Sequence, residues 1–333
     1  MRVLHVTYPS AHVRRSGRRL EVHANRRCVR ELQIHGLQQL VLTGNIAVSP
    51  AAMSLLLDEG VDTVFLTGSG RYRGRLMGHL SSNIRLRMRQ FEFLRDSEQA
   101  LRFAKQVVQG KIANQRSHLL RHRRRHQLVN LDEAIRALAA ARLRSALCTD
   151  MDELRGCEGS ASAAYFRVFG TLVRVPGFEF PKRSRRPPID PINAMLSFGY
   201  TLLFNLVQST IERVGLDPYL GALHAPTAGR PSLVCDLVEE LRAPVIDALV
   251  LGAVNQKSIA PKDFEELGPG EPVRLRRETI RWLVELFERR VEQRVHYPPT
   301  KQRLTIFAII EQQARAAART FADDVPYEPW LVR

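Results

Sequence analysis

Short apolar runs rich in β-branched residues, broken by glycines, mark the first eighty or so positions. Val3-Leu4-His5-Val6, Leu20-Glu21-Val22, Cys28-Val29-Arg30-Glu31-Leu32, Gln39-Leu40-Val41-Leu42 and Thr63-Val64-Phe65-Leu66 each read as a strand. Gly17, Gly36, Gly44, Gly60, Gly68 and Gly70 punctuate them. One helix interrupts, with Ser49 as N-cap, Pro50 as its first residue and AAMSLLLDEG running to a glycine stop. From about residue 84 the apolar spacing lengthens to three and four, at Phe91, Leu94, Leu101, Ala104, Val107 and Val108. Further helices are expected over 131–147, 156–171, 191–214, 231–252, 275–295 and 301–321. The pattern predicts an α+β chain: a small, β-sandwich-like N-terminal β-domain over 1–83, then a larger all-α domain over 84–333.

Composition narrows the class. With 333 residues, 44% hydrophobic and 25% charged, the chain has material for buried cores and is not disordered. No uninterrupted apolar run of about 18 residues is present, so no membrane span is expected. The opening MRVLHVTYPSAHVRR alternates like a strand and lacks the apolar core of a secretory signal. Cys28, Cys148, Cys157 and Cys235 show no CxxC spacing, which argues against a zinc knuckle or a disulfide framework. A cytoplasmic location is expected.

Charge supplies the first functional clue. The chain carries 50 Lys+Arg against 34 Asp+Glu, net +16, and 15 of those net charges lie in the first 130 residues. The densest stretch holds Arg71, Arg73 and Arg75, then Arg85, Arg87 and Arg89, and finally Arg121, Arg123, Arg124 and Arg125. The first two triplets recur every second residue and would line one face of a strand. A solvated face explains any single triplet. The whole cluster fits a nucleic-acid backbone better, because guanidinium forks match phosphate oxygens. His118, His122 and His126, four apart, have metal-ligand spacing, but the arginines around them favour a surface that meets phosphate. The loop VPGFEFPKRSRRPPIDP adds Lys182, Arg183, Arg185 and Arg186, for phosphate contact or simple solubility.

The nearly neutral remainder holds the candidate chemistry. In GCEGSASAAYF, Glu158 is placed at the start of a helix, where the dipole favours a carboxylate. In GLDPYLGALHAPTAGRPSLVCDLVEELR, His224 ends an apolar stretch, and Pro231 and Ser232 open a helix bearing Asp236, Glu239 and Glu240. Each feature alone has a plain structural reading: a capping carboxylate, a structural histidine, an exposed acidic edge. Like charges three and four apart on an apolar-flanked helix nevertheless call for a counter-cation. One imidazole with several carboxylates suits Mg²⁺ or Mn²⁺. A basic surface beside an acidic metal site is the arrangement that phosphodiester chemistry requires.

At these residues the sequence resembles a known family. NAMLSFGYTLLFNLVQSTIERVGLDPYLGALHAPTAGRPSLVCDLVEELR is similar to the signature region of the CRISPR-associated endonuclease and integrase of spacer acquisition, the first-numbered Cas protein. GCEGSASAAYF matches that family's glutamate motif, and GRYRGRL fits the end of its β-domain. The resemblance implies that Glu158, His224 and Glu239 are metal ligands and that Asp236 is a neighbouring acidic residue needed for catalysis. It implies that Arg230 in GRPS faces DNA phosphate; the basic cluster adds Arg121, Arg123, Arg124 and Arg125 as DNA-binding candidates. One departure is that SASAAYF has no arginine before its aromatic pair.

The implied activity is metal-dependent DNA endonuclease and integrase in CRISPR adaptation. Prespacer 3′-hydroxyl ends would be joined to leader–repeat DNA by transesterification, and branched DNA cut when water is the nucleophile. Implied partners are prespacer duplex, leader–repeat and branched DNA, a second copy in a homodimer, and a dimer of the small second-numbered Cas protein in a heterohexamer, with no membrane. The competing readings are a catalytically silent DNA-binding scaffold of the same complex and a stand-alone branched-DNA nuclease in repair.

Overall fold

A computed structural model describes residues 3–68, 70, 72–78, 83–125, 131–184, 187–265, 268 and 271–332. Arg71, His126, Arg185 and Arg186 lie outside the described residues. The chain opens with β1 (Val3–Val6), β2 (His12–Ser16), β3 (Arg19–Ala24), β4 (Arg27–Gln33), β5 (Gln39–Thr43) and β6 (Ala47–Val48). Helix α1 (Pro50–Asp58), β7 (Asp62–Leu66) and β8 (Tyr72–Leu76) complete the strand-rich portion. Two four-stranded sheets form, ordered β1-β5-β7-β8 and β4-β3-β2-β6. In the first, β1, β5 and β7 are parallel and β8 is antiparallel to β7.

Alternation decides what each face meets. Leu4, Val6, Leu40 and Leu42 share a core with Val13, Leu20 and Val22 of the second sheet and with Leu55 and Leu56 of α1. The intervening Val3 and Val41, with Val64 and Leu66, join the core of the helices instead. The first sheet is therefore covered on both faces, and β1 and β5 are buried along their whole length.

The helical portion follows with α2 (Ile84–Arg95), α3 (Ser97–Arg125), α4 (Asp132–Leu147), α5 (Met151–Phe169), α6 (Pro191–Val214) and α7 (Ser232–Leu241). A π-helical stretch, Arg242–Asp247, leads directly into α8 (Ala248–Asn255). Then come β9 (Phe264–Glu265), β10 (Arg274–Leu275), α9 (Arg277–Val291), β11 (Arg294–Tyr297), β12 (Gln302–Thr305) and α10 (Ile306–Asp323). The α+β class holds, with a strand-rich start and a helical remainder, but that remainder is not purely helical. The antiparallel pairs β9–β10 and β11–β12 shorten the helices expected over 275–295 and 301–321. Pro298 and Pro299, and Lys301 at φ 54°, turn the chain between β11 and β12.

Several local expectations change. Asp150 caps α5, accepting the N–H groups of Asp152 and Glu153, both at 2.9 Å. The helix thus starts five residues earlier than 156, and Glu158 sits well past its first turn. Arg85, Arg87 and Arg89 lie in α2, where spacing of two spreads them around the helix rather than along one face. Arg75 is turned inward from β8: it pairs with Asp62 at 2.5 Å and with Glu212 of α6 at 2.6 Å, its side chain only 10% exposed. It ties the first sheet to the helices and is not part of a surface for phosphate.

Candidate active site

Three helices carry buried polar side chains toward one another. On α3, Lys111, Asn114 and His118 recur at helical spacing and all are buried, unusual for a helix this basic. On α5, Glu158, Ser162 and Tyr165 share a stripe. On α7, Asp236, Glu239 and Glu240 are all buried.

The ammonium of Lys111 joins two of the expected residues. It donates to Glu158 Oε1 and lies 2.7 Å from Glu239 Oε2. Ser162 Oγ donates to the same Glu158 oxygen at 2.9 Å. Arg242, from the π-helical stretch, adds a contact of 3.2 Å to Glu239 Oε1 and stacks over the Tyr200 ring at 4.7 Å. Burial alone would raise the Glu239 carboxyl, but Arg242 and Lys111, with a smaller contribution from His224, hold it down at about 2.

Asp236 has a different task. Its Oδ2 accepts the N–H groups of Ala222 at 2.6 Å and Leu223 at 3.2 Å; Oδ1 accepts the N–H of His224 at 3.0 Å. Oδ1 also meets His224 Nδ1 at 2.7 Å. A carboxylate accepts and does not donate, so Nδ1 carries a hydrogen and Nε2 is the ring nitrogen left for another partner. Asp236 is completely buried, and its hydrogen bonds fix both the loop and the tautomer of His224. Close packing reinforces this: a Cβ at Gly221 would stand 2.5 Å from the Ser232 backbone.

The acidic residues of α7 are therefore not one cluster. Glu240 turns the other way, accepting the Tyr327 hydroxyl at 3.0 Å and the Trp330 N–H at 3.1 Å. Burial outweighs those hydrogen bonds and pushes its carboxyl up to about 8. The C-terminal segment with Trp330 packs onto its own chain, Trp330 being 1% exposed.

A second buried network lies two turns along α3 from Lys111. His118 Nδ1 meets the Tyr165 hydroxyl at 2.7 Å, and that hydroxyl donates to Asp247 Oδ2 at 2.9 Å. Tyr200 donates to Asp247 Oδ1 at 2.5 Å. Burial, helped by His122 and Arg121, pushes His118 down to about 3, so it is neutral. The expected phosphate-facing histidine is thus interior, its ring 4.9 Å from that of His122. His126 lies outside the described residues.

The expected DNA-contacting arginines separate. Arg123, Arg124 and Arg125 are exposed at the end of α3, and Arg123 pairs with Asp132 at 2.5 Å. Arg121 is half-buried. Arg230 folds back to donate to the Ala225 carbonyl, in the loop that follows His224. Arg183 is bound to Asn193 at 2.6 Å and Ser197 at 3.1 Å, packing its loop onto α6.

Two carboxylates and an imidazole with a free Nε2 are the donor types of a divalent-cation site. The Lys111 ammonium marks where positive charge is required between the carboxylates. In this arrangement, no three His, Cys, Asp or Glu side chains among the described residues stand close enough to hold an ion. The donor set fits a metal by type, and here the cation between the two carboxylates is the Lys111 ammonium.

The family model described as CRISPR associated protein Cas1 matches residues 4–289. The chain belongs to the Cas1 family. It is 35% identical to CRISPR-associated endonuclease Cas1 2 of Rhodospirillum rubrum, over 99% of this chain and 98% of that one. It is also 35% identical to CRISPR-associated endonuclease Cas1 3 of Thermus thermophilus, over 99% and 97%. The Cas1 fold is shared with a casposase bound to an integration product, at TM-score 0.85, 22% identity and coverage of 99% and 93%. A Cas1 protein from Thermotoga maritima superposes at TM-score 0.81, with 23% identity and 97% of each chain covered.

Lys111, Arg242, Tyr165, Tyr200 and Asp247 of this Cas1-family chain were not singled out as site residues from sequence. Lys111 reads as one more cation in a basic helix, and the signal that separates it is its place among Ala104, Val107 and Val108 on the apolar stripe.

Proposed function

We propose that this Cas1-family chain is a metal-dependent DNA endonuclease and integrase that inserts new spacers into a CRISPR array. One observation carries the reading. Glu158 and Glu239, from separate helices, converge on a single cation, while Asp236 holds the Nδ1 side of the His224 ring. Glu158, His224 and Glu239 would hold Mg²⁺ or Mn²⁺. When bound, such an ion draws charge from a non-bridging phosphate oxygen and from the leaving 3′-oxygen.

The chain's own residues do the positioning. Lys111 neutralises the two carboxylates until the ion takes its place, so the pair stays together in the empty enzyme. Asp236 holds the imidazole by Nδ1 and fixes the direction in which Nε2 points. The prespacer 3′-hydroxyl attacks phosphorus and the 3′-oxygen of the cut strand leaves. One phosphodiester forms as one breaks, which needs no ATP. Prespacer duplex and leader–repeat DNA are the proposed substrates, with a homodimer and the small second-numbered Cas protein completing the heterohexamer.

The test is strand transfer by purified protein with its small partner, Mn²⁺ or Mg²⁺, and a leader–repeat duplex. Joined product is expected from wild type and a loss of at least a hundredfold from Glu158→Gln. DNA binding with no joining or cutting under either metal overturns the reading in favour of a silent scaffold. Cutting of branched DNA without joining favours a stand-alone nuclease.

A further inference from the structure

Glu158 has a neighbour with chemistry of its own. Cys157 Sγ lies 3.7 Å from Cys148 Sγ. Cys148 closes α4 and is 6% exposed, while Cys157 is half-buried on α5. A cavity of about 440 Å³, open to solvent, is lined by both cysteines with Arg144, Leu147, Glu153 and Gly156. A small oxidant therefore reaches the pair. Gly156 and Gly159 flank Cys157 and Glu158, and space lies open where their side chains would be. Two glycines within four residues make this the most deformable turn of α5. A pull on Cys157 is thus transmitted to the carboxylate beside it.

We propose that Cys148 and Cys157 form an oxidant-responsive dithiol, whose closure to a disulfide displaces the α5 turn that carries Glu158. The loss of DNA joining that follows rests on the function proposed above; the thiol chemistry and the displacement do not.

The oxidant is a hydroperoxide. Burial and the contact with Cys157 push the Cys148 thiol up to about 11, so it is carried protonated, and the first oxidation falls to the more accessible Cys157. The Cys157 sulfur attacks one peroxide oxygen, the O–O bond breaks, one water leaves and a sulfenic acid forms. The Cys148 sulfur then displaces the sulfenic hydroxyl as a second water. Two thiols and one hydrogen peroxide become one disulfide and two waters. The sulfurs lose the two electrons that the peroxide oxygens gain. In the proposed closure the sulfurs move from 3.7 Å to a bond of about 2.05 Å, and the turn of α5 that carries Cys157 is drawn toward the end of α4. Such a bond in a reducing compartment is transient and regulatory.

Trypsin provides a direct readout because it cuts at Arg155, between the two cysteines. Full-length protein is treated with hydrogen peroxide, alkylated and digested. The expected product is peptide 145–155 linked to peptide 156–167, with an intact mass lower by about 2 Da, reversed by dithiothreitol. Amide exchange over 156–167 should rise severalfold in the oxidised protein and not in peroxide-treated Cys148→Ser. Cys28, exposed, and Cys235, half-buried, serve as comparators. Full alkylation of Cys148 and Cys157 after peroxide overturns the proposal, and so does a linked pair with unchanged exchange. Neither measurement needs nuclease activity, so failure here is distinct from failure of the integrase reading. In active protein, joining should fall severalfold on oxidation and recover with dithiothreitol.

Discussion

Lys111 is a buried ammonium between two carboxylates, and removing one member of such a group leaves the others uncompensated. Lys111→Met should destabilise the metal-free protein by about 3–5 kcal/mol, since Glu158 and Glu239 lose their shared cation. Added Mn²⁺ should then raise the melting temperature of the variant more than that of wild type. Equal shifts in the two proteins would mean that Lys111 and the ion do not share a place. Glu240 makes a separate prediction from its own burial. Its folded carboxyl titrates near 8, above its ordinary value of 4.5. Below 4.5 both folded and unfolded states hold the proton and there is no penalty. Between 4.5 and 8 only the folded state holds it, so this contribution to stability is lost as pH rises and is gone above 8. Glu240→Gln keeps the neutral form at every pH. It should gain melting temperature over wild type at pH 8.5 by an amount worth several kcal/mol, about the size of the linkage, and match it near pH 4.5.

At the scale of elements, α3 is the spine on which the site is assembled. Asn114, one turn after Lys111, donates to the Glu240 and Trp330 carbonyls, both at 2.7 Å, and accepts the Val332 N–H at 2.9 Å. The C-terminal segment thereby straps α3 to α7. Gly110 makes room for it: a Cβ there would stand 2.5 Å from the Pro329 Cβ. Alanine normally strengthens a helix interior by about 1 kcal/mol over glycine. Gly110→Ala should instead destabilise by about 1–3 kcal/mol through overpacking, with proteolysis of the C-terminal segment appearing first. A variant that melts higher than wild type would show that the strap yields without cost. The same elements show what the sequence made legible. Val3–Val6, Gln39–Thr43 and Asp62–Leu66 stood out because burial on both faces demands continuous apolar or β-branched residues. The arginine-laden β2 and β8 carry only a weaker signal, the alternation of MRVLHVTYPSAHVRR and the every-second-residue spacing of Arg73 and Arg75, because each has a largely exposed or half-buried face. Glu158, His224 and Glu239 are candidates through their motifs, and two of them, Glu158 and Glu239, meet at Lys111. Their counter-cation was not legible in that way, because a lysine 47 residues before one partner and far further before the other has no local pattern that separates it from a solvated one. The division of Asp236, Glu239 and Glu240 into three directions also depends on what packs around α7, which spacing alone does not encode.

For the whole molecule, the net charge of +16 is not one surface. Arg75 neutralises Asp62 and Glu212 in the interior, and Arg123 is spent on Asp132. Like charges crowd elsewhere. Burial, together with Arg125, lowers the Arg121 guanidinium, and burial with Arg121 lowers Arg290. These three cations raise one another's cost at the end of α3, which is the condition an incoming phosphate relieves. Replacing Arg121 and Arg125 together with glutamine should weaken duplex binding without regard to sequence. It should reduce the slope of log affinity against log salt by about two, one for each lost phosphate contact. Arg75→Gln should leave that slope unchanged and cost about 3–5 kcal/mol of stability, because Asp62 and Glu212 stay buried without their cation. Titrations of labelled duplex at several salt concentrations, beside thermal melts of the same proteins, separate the two roles. A salt slope unmoved by the double substitution would place the DNA path away from the end of α3.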